Sequence, residues 1–123
     1  MTHKSEAPDF AGDSNDPTSS GVVLALTTWP ADRPADAFAR ALVDRRLAAC
    51  VNVLPIQHST YRWQGGVEVA EERQVLMKTT RARIGALEDA VRDLHPYDVP
   101  EWLVLDVAGG SDHYLGWVRE SVG

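Results

Sequence analysis

The segment that decides the fold is CVNVLPIQHSTYRWQGGVEVAEERQVLMK, residues 50–78. Its first part, Cys50–Leu54, is rich in residues that favour strands, and the proline after it predicts an edge position or a bulge, because proline cannot donate to a central ladder. The strand resumes over Ser59–Trp63. A turn signal, Gln64-Gly-Gly66, precedes a third stretch, Val67–Lys78, with a polar start and an apolar end. These signals predict one long β-hairpin.

Strand and helix patterns flank the hairpin on both sides. Before the hairpin they predict a strand (21–28) and a helix that is capped by Asp32 and runs to about residue 46. After the hairpin they predict a helix capped by Thr79 and Thr80, a strand (102–107) and a short helix capped by Ser111. The core face of the helix after the hairpin consists of Ile84, Leu87, Val91 and Leu94. The order is therefore β-α-β-β-α-β with a short C-terminal helix. This order predicts an α+β fold, the ferredoxin-like sandwich, in which two helices cover one face of a four-stranded antiparallel sheet.

The hairpin is longer than a compact sandwich needs. Each residue of a strand adds about 3.3 Å, so arms of ten or more residues overhang the sheet. The overhang exposes unpaired edges and the aromatic residues Tyr61 and Trp63. Because exposed edges pair readily with other chains, the pattern predicts an oligomer whose sheets continue between subunits.

Composition excludes several classes of protein. The 123 residues carry 12 Lys and Arg against 18 Asp and Glu, a net charge of −6, which disfavours a nucleic-acid partner. No apolar run reaches the roughly 18–20 residues of a membrane span, so no membrane partner is expected. One cysteine, Cys50, excludes an internal disulfide framework and a paired-cysteine zinc site.

The charge is concentrated at the N-terminus. Residues 1–20 hold one lysine and four acidic residues, a charge of −3. With little apolar surface, this segment is predicted to be a disordered or loosely docked acidic tail, and residues 21–123 the folded domain. Because the tail lacks the apolar core of a signal peptide, a cytoplasmic location is expected.

Five colinear segments carry a family resemblance. They are Leu47-Ala-Ala-Cys-Val-Asn52, Ser59-Thr-Tyr-Arg-Trp-Gln-Gly65, Met77-Lys-Thr-Thr80, His95-Pro-Tyr-Asp-Val-Pro-Glu101 and Tyr114-Leu-Gly-Trp-Val118. Together they resemble the CutA family of divalent-cation tolerance proteins, over about residues 21–122. The resemblance implies a ferredoxin-like fold, a homotrimer similar to the PII signalling proteins with sheet pairing between subunits, and a link to tolerance of copper or other divalent cations without catalysis.

His95 and Glu101 are the candidate metal ligands. They flank one turn that is stiffened by Pro96 and Pro100, so an imidazole and a carboxylate could be held at a fixed separation for Cu²⁺ or another divalent cation. A third ligand would have to come from elsewhere, including another chain. Some CutA members are similar but offer a cysteine where this chain has Thr27, so a soft thiolate ligand is absent. The alternative is structural: His95 caps the preceding helix and Glu101 pairs with a neighbouring subunit.

Three further features suggest roles. Cys50 is predicted to be a structural thiol, a small buried apolar residue. Lys78, Trp63 and Tyr97 are candidates for lining a ligand pocket between subunits. Lys78, the two threonines after it, Arg81 and Arg83 lie at a strand-to-helix junction that could receive a small anion, as a PII-like signalling or binding module would; the alternative is capping and ion pairing.

Overall fold

A computed structural model describes residues 20–123. The acidic tail predicted at residues 1–20 therefore lies outside the described residues, apart from Ser20. In chain order the elements are β1 (Val22–Pro30), α1 (Asp36–Asp44), β2 (Cys50–Trp63), β3 (Gly66–Thr80), α2 (Arg81–Leu94), β4 (Leu103–Asp106) and α3 (Asp112–Val122). The predicted order of strands and helices is confirmed. No helix among the described residues is long and apolar enough to cross a membrane.

The four strands form one antiparallel sheet in the order β2-β3-β1-β4. This order and the α+β composition are those of the ferredoxin-like fold. Residues alternate between the two faces of each strand, and the helix-covered face carries buried residues such as Ala25, Val75 and Met77. They pack with residues of α1 and α2, including Leu42 and Leu87, to form the main core.

The start of α1 differs from the prediction. Asp32 does not cap the helix: the N-cap is Ala35, and no side-chain hydrogen bond caps α1. The residues before it form a turn, in which the Arg33 amide donates to the Pro30 carbonyl (3.3 Å) and the Ala31 amide donates to Glu71 (3.2 Å). The chain therefore forms a turn after β1, and α1 begins only after this turn.

The hairpin is continuous, and the predicted irregularity is present. β2 pairs with β3 along its length, with a register shift between Val53 and Ile56. Two residues, Leu54 and Pro55, occupy the place of one there, which is a β-bulge on an edge strand and needs no amide from the proline. Beyond the bulge, Tyr61 lies opposite Glu68, so the aromatic residues of the distal arm share the face that the helices leave open.

The predicted side-chain cap is present in α3 but not in α2. Thr80 is the N-cap of α2, as predicted, but its side chain makes no capping hydrogen bond. The hydroxyl of Thr79 donates instead to the Leu47 carbonyl (2.7 Å) inside the protein. Ser111 caps α3 as predicted, since its hydroxyl accepts from the Tyr114 amide (3.2 Å). The helix α3 then buries Leu115 and other apolar residues over one end of the open face.

The middle of the open face is apolar, and no helix among the described residues covers it. The register aligns Leu24 with Leu105, and Leu26 with both Leu76 and Leu103. Leu103 and Leu105 are about half exposed, at 54% and 47%. An apolar sheet face beside an edge strand is typical of a surface that another chain covers.

The Ser111 cap provides a test of the fold. We expect Ser111→Ala to lower the free energy of unfolding by about 1 kcal/mol, because the first turn of α3 loses its side-chain acceptor. The matched control is Ser121→Ala, since Ser121 donates only to the Trp117 carbonyl one turn earlier in the same helix. Urea unfolding at one fixed protein concentration measures both; equal losses would contradict the capping role.

Candidate functional site

The candidate site is built by the loop between α2 and β4. Since β4 pairs only with Val23–Leu26, the C-terminal half of β1 has no fourth strand beside it. Helix α2 ends at Leu94, because Pro96 disfavours helix at the residue before it. The loop of residues 95–101 then runs along the uncovered part of β1, where its side chains hydrogen-bond to β1 and β3.

Both ring nitrogens of His95 are engaged within the chain. Nε2 lies 2.5 Å from the Thr28 carbonyl, and Nδ1 lies 3.0 Å from the Tyr97 amide. The amide can only donate and the carbonyl can only accept, so the proton is on Nε2 and the ring is neutral. Burial lowers the pKa of His95, while the Thr28 hydrogen bond and the charge of Glu72 act in the opposite direction.

Tyr97 fixes a carboxylate of β3. Its hydroxyl donates to Oε2 of Glu72 (3.0 Å), whose residue is only 8% exposed. Burial and this carboxylate together raise the pKa of Tyr97 to about 12, with smaller contributions from Tyr61 and Asp32. The phenol therefore stays protonated and remains a donor throughout the physiological range.

Glu101 is held by the next polar side chain of β3. The amide nitrogen of Gln74 donates both to Oε2 of Glu101 (2.8 Å) and to the Thr27 carbonyl (2.9 Å). Glu72 and Gln74 are two residues apart on one strand, so they share the open face. Within residues 20–123, no Lys or Arg nitrogen forms a salt bridge with Glu72 or Glu101. The polar end of the open face therefore holds two carboxylates that no side-chain cation neutralises.

The two predicted metal ligands have separate partners in this arrangement. His95 is bound to Thr28 and Tyr97, whereas Glu101 is bound to Gln74. Across the described part of the chain, no three His, Cys, Asp or Glu side chains form a group that could hold a metal ion. Metal binding by His95 and Glu101 stays a prediction. Sequence reasoning missed Glu72 and Gln74, although their alternation with Leu76 and Lys78 was a signal that they share a face.

The predicted pocket residues are not brought together within one chain. Lys78 lies opposite Cys50, and its ammonium donates to the Tyr114 hydroxyl (3.2 Å). Trp63 lies opposite Gly66 at the tip of the hairpin, twelve residues from Lys78 along β3, or roughly 40 Å. Tyr97 faces Glu72 between these two ends. A pocket of Lys78, Trp63 and Tyr97 can therefore exist only between subunits, and it stays a prediction.

The predicted burial of Cys50 is wrong for the single chain. Its side chain is partly exposed, and its thiol lies 3.7 Å from Oδ1 of Asn52. The cause is the register of the strands. Cys50 pairs with Lys78, and Lys78 pairs with Leu24, so all three residues lie on the open face and not beneath α1 and α2. The flanking Ala48 and Ala49 are buried, as the apolar sequence suggested.

The alternative anion site has its cations engaged elsewhere. Arg81 forms a salt bridge with Asp106 (2.6 Å), and its amide donates to the Gly21 carbonyl. Nε of Arg83 donates to the Val122 carbonyl (2.7 Å). These contacts fix α2 to the rest of the fold, which favours the structural interpretation of this basic cluster.

The geometry of His95 predicts a pH dependence of stability. Because its pKa is lower in the folded state, the unfolded state binds more protons below about pH 6.5, and the free energy of unfolding falls as the pH decreases. One such group contributes a slope of at most about 1.4 kcal/mol per pH unit. His95→Gln keeps a donor to Thr28 without titrating, so its slope should be shallower.

Urea unfolding of metal-free protein between about pH 7.5 and pH 5.5 measures these slopes. His58→Gln is the control, because His58 is exposed and its ring pairs with Glu71 across the hairpin. Equal slopes for the wild type and His95→Gln would contradict the assigned role of the ring.

Comparison with known proteins agrees with this fold. The family model described as "CutA1 divalent ion tolerance protein" matches residues 23–121. The divalent-cation tolerance protein CutA of Thermus thermophilus is 46% identical over 100 residues, which are 81% of this chain and 97% of that protein. Protein CutA of Homo sapiens is 42% identical over 114 residues, 92% of this chain but 64% of that longer protein. The crystal structure of CutA from Xylella fastidiosa superposes with a TM-score of 0.80 at 41% identity, covering 84% of this chain and 99% of that one. The chain therefore belongs to the CutA1 divalent ion tolerance family.

Proposed function

We propose that this chain serves divalent-cation tolerance by binding a divalent cation, without catalysis, at the polar end of its open sheet face. The observation that carries the proposal is the pair of carboxylates, Glu72 and Glu101, for which the described residues supply no salt bridge. Glu72 is almost fully buried. A buried charge without a counter-ion is costly, and a bound cation reduces that cost.

The chemistry of the donors favours an ion that accepts oxygen ligands. Glu72, Glu101 and the amide oxygen of Gln74 are oxygen donors, which suit Mg²⁺, Ca²⁺ or Mn²⁺. A bound ion would supply positive charge against these carboxylates. The predicted Cu²⁺ site at His95 and Glu101 has a further cost, since His95 would have to release Thr28 or the Tyr97 amide. We therefore assign His95 the role of positioning the loop that carries Glu101.

A neighbouring subunit is proposed to complete the site. Two carboxylates rarely hold an ion alone, and the open face continues into the apolar residues Leu103 and Leu105 at the sheet edge. The distal hairpin exposes Tyr61 and Trp63 on the same side. Both features support an oligomer with sheet pairing between subunits, and the family resemblance implies that this oligomer is a homotrimer. The cytoplasmic location also belongs to this proposal, and cell fractionation tests it.

Calorimetric titration tests the cation site. With metal-free protein, we expect Mn²⁺ affinity to fall at least about tenfold in Glu101→Gln and in Glu72→Gln, because each variant removes a charged ligand but keeps the shape. Glu120→Gln is the control, since Glu120 lies exposed on α3. Unchanged affinity in both site variants would contradict the assignment.

Copper discriminates between the two ligand sets. In the electron paramagnetic resonance spectrum of bound Cu²⁺, nitrogen superhyperfine splitting that disappears in His95→Gln would establish His95 as a ligand. The oxygen-donor site predicts a spectrum that this variant leaves unchanged.

Native mass spectrometry tests the assembly. We expect the mass of three subunits for the wild type, and subunit masses for Leu105→Glu, because a charge on the open face would be buried without a partner. Val43→Glu is the control, since Val43 is similarly exposed (41%) but lies on α1. A monomeric wild type, or a trimer that survives Leu105→Glu, would contradict the interface.

A further inference from the structure

A second concave site lies between α2 and the loop that follows it. Its volume is about 300 Å³, within the range of small-molecule pockets. Its lining comes from one side of α2, from residues 98–100 and from Trp102. None of the candidate cation ligands lines this pocket, so it is distinct from the site above.

Four of the seven residues that line the pocket are apolar. Val91 and Trp102 lie toward the core, where Val91 is buried and Trp102 packs against the main cluster. Val99 and Pro100 come from the loop, and Val99 is 76% exposed. An exposed valine beside a tryptophan offers contact area for a small aliphatic or aromatic group.

The remaining lining residues carry charges of both signs. Arg92 and Glu88 form an i,i+4 salt bridge (2.8 Å), and the Arg92 side chain is still 67% exposed. A guanidinium has five N–H donors, so this pair leaves most of them for a carboxylate ligand. Asp98 adds a second carboxylate from the loop. The pocket thus combines one cation and two anions around an apolar wall.

We propose that this pocket binds a zwitterionic apolar amino acid. Its carboxylate would pair with Arg92, its ammonium with Asp98 and Glu88, and its side chain would contact the apolar wall. A simple anion would meet two carboxylates, and a simple amine would meet the guanidinium, so each is complementary to only part of the lining. The charge pattern therefore selects a ligand that carries both charges.

Titration with L-leucine, followed by ¹H–¹⁵N NMR of the full chain, tests the proposal. We expect saturable shifts of the Trp102 indole and of the Asp98, Val99 and Glu101 amides. Two analogues, 4-methylpentanoate and 3-methylbutylamine, each lack one charge and should bind at least about tenfold more weakly. Arg92→Gln and Asp98→Asn should each weaken L-leucine by about tenfold or more, whereas the control Arg40→Gln, at an exposed position of α1, should not.

Circular dichroism verifies that the variants fold, and the Glu88–Arg92 pair is exposed enough for its loss to be tolerated. No saturable shift at millimolar L-leucine would overturn the proposal. So would equal binding of either analogue, or shifts that map away from Trp102. The test is independent of metal, since it is run in chelator, so its failure leaves the cation proposal unaffected.

Discussion

The short fourth strand is the constraint on which the site depends. β4 has four residues and covers β1 only as far as Leu26, while β1 continues to Pro30. The uncovered backbone carbonyl of Thr28 needs a donor, because an unpaired buried carbonyl is costly. The ring of His95 supplies this donor instead of a strand, and the side chain of Gln74 holds Glu101 of the same loop. The loop is thus attached to the sheet by side chains, and functional groups accumulate at this edge.

The hydrogen bonds that hold the loop also determine which of its side chains can bind a metal ion. A histidine that donates with one nitrogen and accepts with the other has no lone pair left for a metal, and burial keeps it neutral. The carboxylates differ, because each has a second oxygen beyond the one that Tyr97 or Gln74 contacts. Glu72 and Glu101 therefore have oxygen atoms available to a metal ion, and His95 positions the loop that carries Glu101.

The sequence predicted what depends on local pattern. The alternation of the hairpin, the bulge at Pro55, the core face of α2 and the Ser111 cap are set by neighbours in the chain, and all are present. The Asp32 cap failed because backbone hydrogen bonds at the end of β1 took the preceding residues into a turn. The prediction that Cys50 is buried was wrong because its burial depends on the face of the sheet that it occupies, and pairing with β3 sets that face.

The candidate site also contains residues that the sequence could identify and residues that it could not. His95, Tyr97 and Glu101 could be found because they lie in one short proline-bounded segment. Glu72 and Gln74 lie more than twenty residues away, and only the β1–β3 register brings them to the loop. A contact set by strand register has no local signature, so the sequence could predict which residues face together but not which loop they would meet.

The loop of residues 95–101 links the two proposed sites. On one side, Tyr97 and Glu101 contact β3; on the other, Asp98, Val99 and Pro100 line the pocket against α2. Prolines at positions 96 and 100 restrict the backbone of this segment, which contributes residues to both sites. If occupancy of the pocket changes the position of Glu101, cation and amino-acid binding must influence each other by equal free energies, because coupling between sites is reciprocal. The folded domain would in this way relate the binding of a metal ion to the presence of a metabolite.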